Sequence, residues 1–276
     1  MKFKNLVLVV AALACGSAMA QGYSGNYAYG PSDGYGDGSM PMPTLKPLQA
    51  RWTLAGDGQT VLLATGTKMS ARTFDPLDAA SNTAQWNDTA KSADFYLTGV
   101  TTQGDQLTSG SSNRSSLLFK RTVIGEVTDD VAVVRDLFAT NFTFDLGTGT
   151  VSANMKSRNF TRTWDGVSSP AVVNDLGRVA LFQSVQAAQG GKIVFDGNWQ
   201  ATTSATFSDL RLTNIGVDVF LQGLGLRNDP SDVITNLTRN AVWGKVEISA
   251  VPEPSTYALM GMGLLLVAGL ARRRAV

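Results

Sequence analysis

The chain has 276 residues, with 23 Lys plus Arg, 22 Asp plus Glu, one Cys and no His. Without imidazole there is no Ser-His-Asp triad, no Cys-His pair and no histidine metal ligand, and a single thiol allows neither a disulfide framework nor a thiolate zinc site. At 43% apolar and 16% charged residues, the chain has enough apolar side chain for a core and little surface charge.

The first predicted element is an export segment over residues 1–20. Lys2 and Lys4 supply a positive start, Leu6 to Ala14 an apolar run, and Ala18 and Ala20 the small residues that signal peptidase needs, giving a mature start at Gln21. The apolar run rises only about 14 Å as a helix, against a hydrocarbon core of about 30 Å, so it is too short to be an anchor. The residues around Cys15 loosely resemble a lipoprotein signal. Leu13 is unusual in that setting and Ala18-Met19-Ala20 follows, so cleavage after Ala20 is expected, leaving no thiol.

Residues 21–50 form a Gly/Tyr/Pro-rich leader with no apolar period, which cannot bury enough side chain to offset its backbone entropy. Asp33 to Gly38 alternates Asp and Gly as a calcium turn does. Such turns come in tandem nonapeptides and only one approximate unit is present, so no metal is expected.

Residues 51–250 follow a period of two. Phe142, Phe144 and Leu146 share one face, as do Ile193 with Phe195, Leu210 with Leu212, Ile215 with Val217 and Val219, and Val246 with Ile248. Alternation of this kind predicts antiparallel strands with one dry face. Turn signals separate them at Gly56-Asp57-Gly58, Gly147 to Gly149, Trp164-Asp165-Gly166, Gly190-Gly191 and Asp196 to Asn198. Asp229 to Asp232 reads as a helix start. Residues 172–189 fit a helix or a strand, and 75–86 a short helix or a loop. The fold class is therefore mostly β, an antiparallel β-sandwich or barrel with one to three short helices.

The last part, residues 251–276, joins three physical pieces. Val251-Pro252-Glu253-Pro254-Ser255 must be extended, because each Pro biases the preceding residue away from the α region. Tyr257 to Ala271 is apolar but, as a helix, spans only about 22 Å, short for a permanent anchor. Arg272, Arg273 and Arg274 then favour the cytoplasmic side and stop transfer. This tail resembles the PEP-CTERM sorting signal. The resemblance implies transient inner-membrane insertion through the C-terminal helix, recognition by an exosortase-type transpeptidase and removal of the tail after export. It also implies a Gram-negative host that makes extracellular polysaccharide, with the protein at the cell surface or in the biofilm matrix.

The same tail also carries the name ice-binding protein C-terminal domain. Ice faces need Thr-x-Thr at a regular period, whereas Thr65/Thr67, Thr148/Thr150 and Thr161/Thr163 are irregularly spaced, so ice binding is not expected. With 18 basic and 21 acidic residues, the segment 21–251 carries net charge −3. That argues against a nucleic-acid partner, which needs basic patches.

No catalytic residue is expected, and no cofactor. The chain has no Walker loop, no G-x-G-x-x-G and no Ser-x-x-Lys. A glycosidase needs two carboxylates, one with a raised pKa. Glu126 and Glu247 are the only glutamates in 21–251, and the aspartates mostly occupy turn contexts. Sugar binding through exposed aromatics is open, with Trp86 and Trp164 in polar, loop-like surroundings as the candidate contacts. Trp199 and Trp243 fall on strands and read as core. The expectation is an exported, non-catalytic surface or matrix protein associated with exopolysaccharide. A carbohydrate-active enzyme or carbohydrate-binding module is the alternative, and a ligand carrier with a hollow barrel is a third possibility.

Overall fold

The computed structural model describes residues 44–75, 82–195 and 200–251. The export segment, the leader up to residue 43, the turn 196–198, Trp199 and the tail from Pro252 onward lie outside the described residues, including Glu253, Pro254, Ser255 and the three terminal arginines.

The described chain opens with β1 (Thr44–Leu45), β2 (Leu48–Thr53) and helix α1 (Gly56–Ala64). Short strands β3 (Thr67–Ser70), β4 (Ala84–Asn87), β5 (Ser92–Tyr96) and β6 (Gly99–Gln103) follow. Four long strands come next: β7 (Gln106–Ile124), β8 (Val131–Asp145), β9 (Thr150–Thr163) and β10 (Val172–Ser184). Then come β11 (Gln189–Gly190), β12 (Val194–Phe195), β13 (Gln200–Thr202), β14 (Ala205–Leu212), α2 (Asn214–Gly223), α3 (Val233–Asn240) and β15 (Gly244–Ala250).

One antiparallel sheet runs β3-β7-β8-β9-β10-β14-β15-β2-β5-β4. It curls on itself because β5 leaves β2 and continues through Leu97 and Thr98 into β6, which pairs with β7. At the crossover Leu97 N–H donates to Leu48 O at 3.0 Å and Thr98 N–H to Ser111 O at 2.8 Å. The result is a nearly closed antiparallel barrel with three short helices, in the fold class that the period-two pattern predicts. A small second sheet, β1-β13-β12, lies apart from it.

The barrel is filled rather than hollow. Trp52, Phe182, Trp243, Phe220 and Phe119 form a chain of ring contacts with centroids 5.1–5.9 Å apart, and Phe95 sits 4.6 Å from Phe142 and 5.6 Å from Phe144. The void between them is about 10 Å³, room for at most one water, and its lining is apolar. The interior therefore gives a ligand carrier no chamber. Helix α2 helps to fill it, lying close against the inner faces of β8 and β10: a Cβ on Gly223 would sit 2.5 Å from Leu137 Cδ1, and one on Gly216 2.4 Å from the Leu181 carbonyl oxygen.

Several local expectations change. Residues 215–219 are helical, not a strand. Thr213 caps the helix by accepting from Gly216 N–H at 2.9 Å, and the buried set Val217, Phe220, Leu221 and Leu224 follows the helical period, leaving Ile215 61% exposed. Gly56-Asp57-Gly58 opens α1 instead of making a turn. Ile193 is buried but Phe195 is exposed, so the two do not share a dry face. The ambiguous segment 172–184 is strand, and Gly177 supplies a positive φ of 76° at a bulge. Helix α3 starts after Asp232, whose carboxylate caps Thr235 N–H at 2.9 Å.

Candidate functional site

Where the barrel fails to close, it leaves a seam. Strand β3 pairs only with β7, and β4 only with β5, so both present unpaired edges to the gap between them. Near its lower end the seam is stitched shut. Asn82 Oδ1 accepts from Ser116 N–H at 2.9 Å, its Nδ2 donates to Ser116 O at 3.1 Å, and Thr83 N–H donates to Arg114 O at 3.3 Å. Toward the helical end the seam opens into a cleft of about 520 Å³, within the roughly 300–1,000 Å³ typical of small-molecule sites. Leu54, Leu62, Leu63, Met69 and Trp86 make its apolar walls, while Lys68, Asp88 and Lys91 are charged.

Trp86 therefore stands on a strand, not in a loop, and is half-buried in the cleft wall. Its indole Nε1 is buried without a hydrogen bond of its own. The neighbouring Asp88 carboxyl is held below its ordinary value, first by its hydrogen bond to Lys91 at 2.8 Å, then by the Lys91 charge, with smaller help from the Trp86 indole and from Lys68. The indole and the carboxylate thus attract each other across a gap that falls short of bonding geometry. Lys68 is exposed and, among the described residues, has no ion-pair partner within 4.0 Å.

Trp164 is also exposed, at 69%, in the turn between β9 and β10. Its indole N–H donates to the Asp129 carbonyl at 3.2 Å, so the ring is held across the neighbouring β7–β8 turn. Because β2, β7 and β9 run in the same direction, both tryptophans lie toward the pole that carries α1. The two are not brought together: Trp164 does not line the cleft. Trp243, read as core, is fully buried.

The carboxylates considered for catalysis are paired. Glu126 receives both guanidinium nitrogens of Arg135 at 2.8 Å, and this bonding holds its carboxyl below the usual glutamate value. Glu247 takes Lys245 Nζ at 2.6 Å on the exposed face of β15. Asp136 is a buried carboxylate with no sequence pattern that singles it out. Arg158 Nη2 meets it at 2.6 Å, and the Arg158 guanidinium also lies over the rings of Phe138, Phe74 and Phe160 at 5.1–5.9 Å. This cluster braces the outer face of the barrel. On the inner face Arg121 donates to Thr65 O and Leu224 O, both at 3.2 Å, tying the end of α1 to the end of α2. Burial and the nearby Arg135 charge lower the Arg121 pKa. Among the described residues no three His, Cys, Asp or Glu side chains group closely enough to hold a metal ion. Nor is any described helix long and apolar enough to cross a membrane.

At the opposite pole the chain leaves the barrel. Ala250 still pairs with Leu48, and Val251 N–H donates to Pro47 O at 2.8 Å, so the sheet continues to the residue before Pro252. Residues 250–275 match the family model of the PEP-CTERM protein-sorting motif. The chain carries a PEP-CTERM sorting signal. Export and processing by an exosortase follow from it. The PEP-CTERM signal thus begins inside the last strand, with no spacer. No curated protein matches the chain. The crystal structure of the C-terminal domain of HtaA from Corynebacterium glutamicum is similar at 15% identity, with a TM-score of 0.37, covering 74% of this chain and 96% of that one.

Proposed function

We propose that this exported barrel is a non-catalytic cell-surface protein of a Gram-negative bacterium that holds exopolysaccharide in its seam cleft, with Trp86 as the stacking wall. The observation that carries the reading is the cleft itself, which sets an aromatic wall beside two unpaired strand edges and a charged rim, the mixture of apolar face and polar groups that a sugar ring presents in return. Trp164, pinned open on the β9–β10 turn at the same pole, provides a second contact for a long chain. The non-catalytic part of the reading is supported by Glu126. A glycosidase acid needs a raised pKa, and Arg135 pushes this one down.

The test is retention of the processed, exported protein on the polysaccharide of the cells that make it. Trp86→Ala is expected to weaken retention about tenfold, the equivalent of ~1.4 kcal/mol, with an unchanged circular-dichroism spectrum. Unaltered retention by both Trp86→Ala and Trp164→Ala refutes the reading, and release of reducing ends from the polysaccharide establishes an enzyme instead.

A further inference from the structure

We infer that the seam cleft selects an acidic sugar, with a uronate carboxylate at Lys68 and Lys91 while the ring lies against Trp86. This rests on the polysaccharide reading above and names the sugar class. Three observations lead to it.

The first is charge. The cleft rim holds two lysines against one aspartate. Asp88 is already engaged by Lys91, and Lys68 stands exposed on β3 without an ion-pair partner among the described residues. A locally cationic rim attracts anionic ligands to that place.

The second is width. The Cα atoms of β3 and β4 come within 8 Å of each other. A peptide strand added between two edges needs about 9.5 Å, twice the interstrand spacing. Where the two strands approach that closely, the seam is too narrow to admit a peptide strand by β-augmentation.

The third is the division of the lining. Leu54, Leu62, Met69 and Trp86 give one apolar side, and Gln59 and Thr67 add neutral polar groups next to the lysines. An entirely apolar ligand would bring its own surface against Lys68 with no counter-charge. A uronate offers an apolar ring face to the tryptophan and oxygens to the rest.

The experiment compares the polysaccharide of the producing cells in its native form and after chemical reduction of its carboxyl groups, using the processed, exported protein. Reduction turns each uronate into the neutral sugar and leaves the backbone intact. Native polysaccharide is expected to bind about tenfold more tightly than the reduced form at low salt, with the difference shrinking as salt rises. Lys68→Gln, an exposed change, is expected to remove about fivefold from native binding and nothing from the reduced form. Equal binding of the two forms, or a Lys68→Gln variant indistinguishable from wild type on native polysaccharide, overturns the acidic-sugar inference and leaves the polysaccharide reading standing. Failure to bind the native polysaccharide at all overturns both.

Discussion

Glu126 and Arg135 illustrate what single side chains contribute at the end of the long strands. The bidentate pair closes the β7–β8 turn, with Arg135 mostly buried and Glu126 about 40% exposed. That exposure limits the pair to roughly 0.5–1 kcal/mol. Since Arg135 lowers the folded-state carboxyl below the ordinary glutamate value of 4.5, the contribution is fully present above 4.5 and is lost as the pH falls through the folded value. Glu126→Gln should therefore unfold at lower urea than wild type at pH 7. The two midpoints should converge in acid, below the depressed carboxyl value. A gap that persisted in acid would mean that the glutamate acts through packing and not through its charge.

At the scale of elements, α2 turns a curled sheet into a filled barrel. Its fit depends on two glycines, and the cost of losing one can be set against a glycine with space around it. Gly216→Ala places a methyl group 2.4 Å from the Leu181 backbone, which cannot move as a side chain end can, and should cost about 1–3 kcal/mol in urea unfolding. Gly56→Ala, at the start of α1, meets nothing within 4 Å and should be neutral or slightly stabilising. Equal losses for the two would remove α2 packing from the account. The same helix marks where the sequence could be misread. Ile215, Val217 and Val219 alternate as a strand does, and only Thr213 as a cap and the run on to Phe220, Leu221 and Leu224 reveal the longer period. The strands around Phe142, Phe144, Leu210 and Leu212 were legible because one of their faces is buried and the other is not. The seam was not legible. It arises from where β5 departs from β2 and crosses to β7, a long-range pairing that no local pattern encodes. Trp86 could be singled out as a tryptophan among polar neighbours, but Lys68 and Lys91 reach it only through the fold.

Across the whole molecule, the junction between barrel and tail is abrupt. Val251 is hydrogen-bonded to Pro47, and the sorting motif begins at residue 250. An exosortase acting on a motif that starts where β15 still pairs with β2 is expected to work against that pairing. A short Gly/Ser insertion between Val251 and Pro252 should speed loss of the tail severalfold in a pulse-chase, with the barrel's stability unchanged. A processing rate that ignores the insertion would show that the junction already has enough room.

That hydrogen bond between Pro47 and Val251 also fixes a direction. The segment entering the barrel and the segment leaving it meet at one pole, while β2 runs about 20 Å from Pro47 to Leu54 at the other. The cleft between β3 and β4 therefore lies toward the pole opposite the one at which the sorting signal is attached. On the polysaccharide reading proposed above, the site that binds and the point at which the tail is removed are thus kept at opposite ends of the barrel, so that processing at one leaves the other untouched.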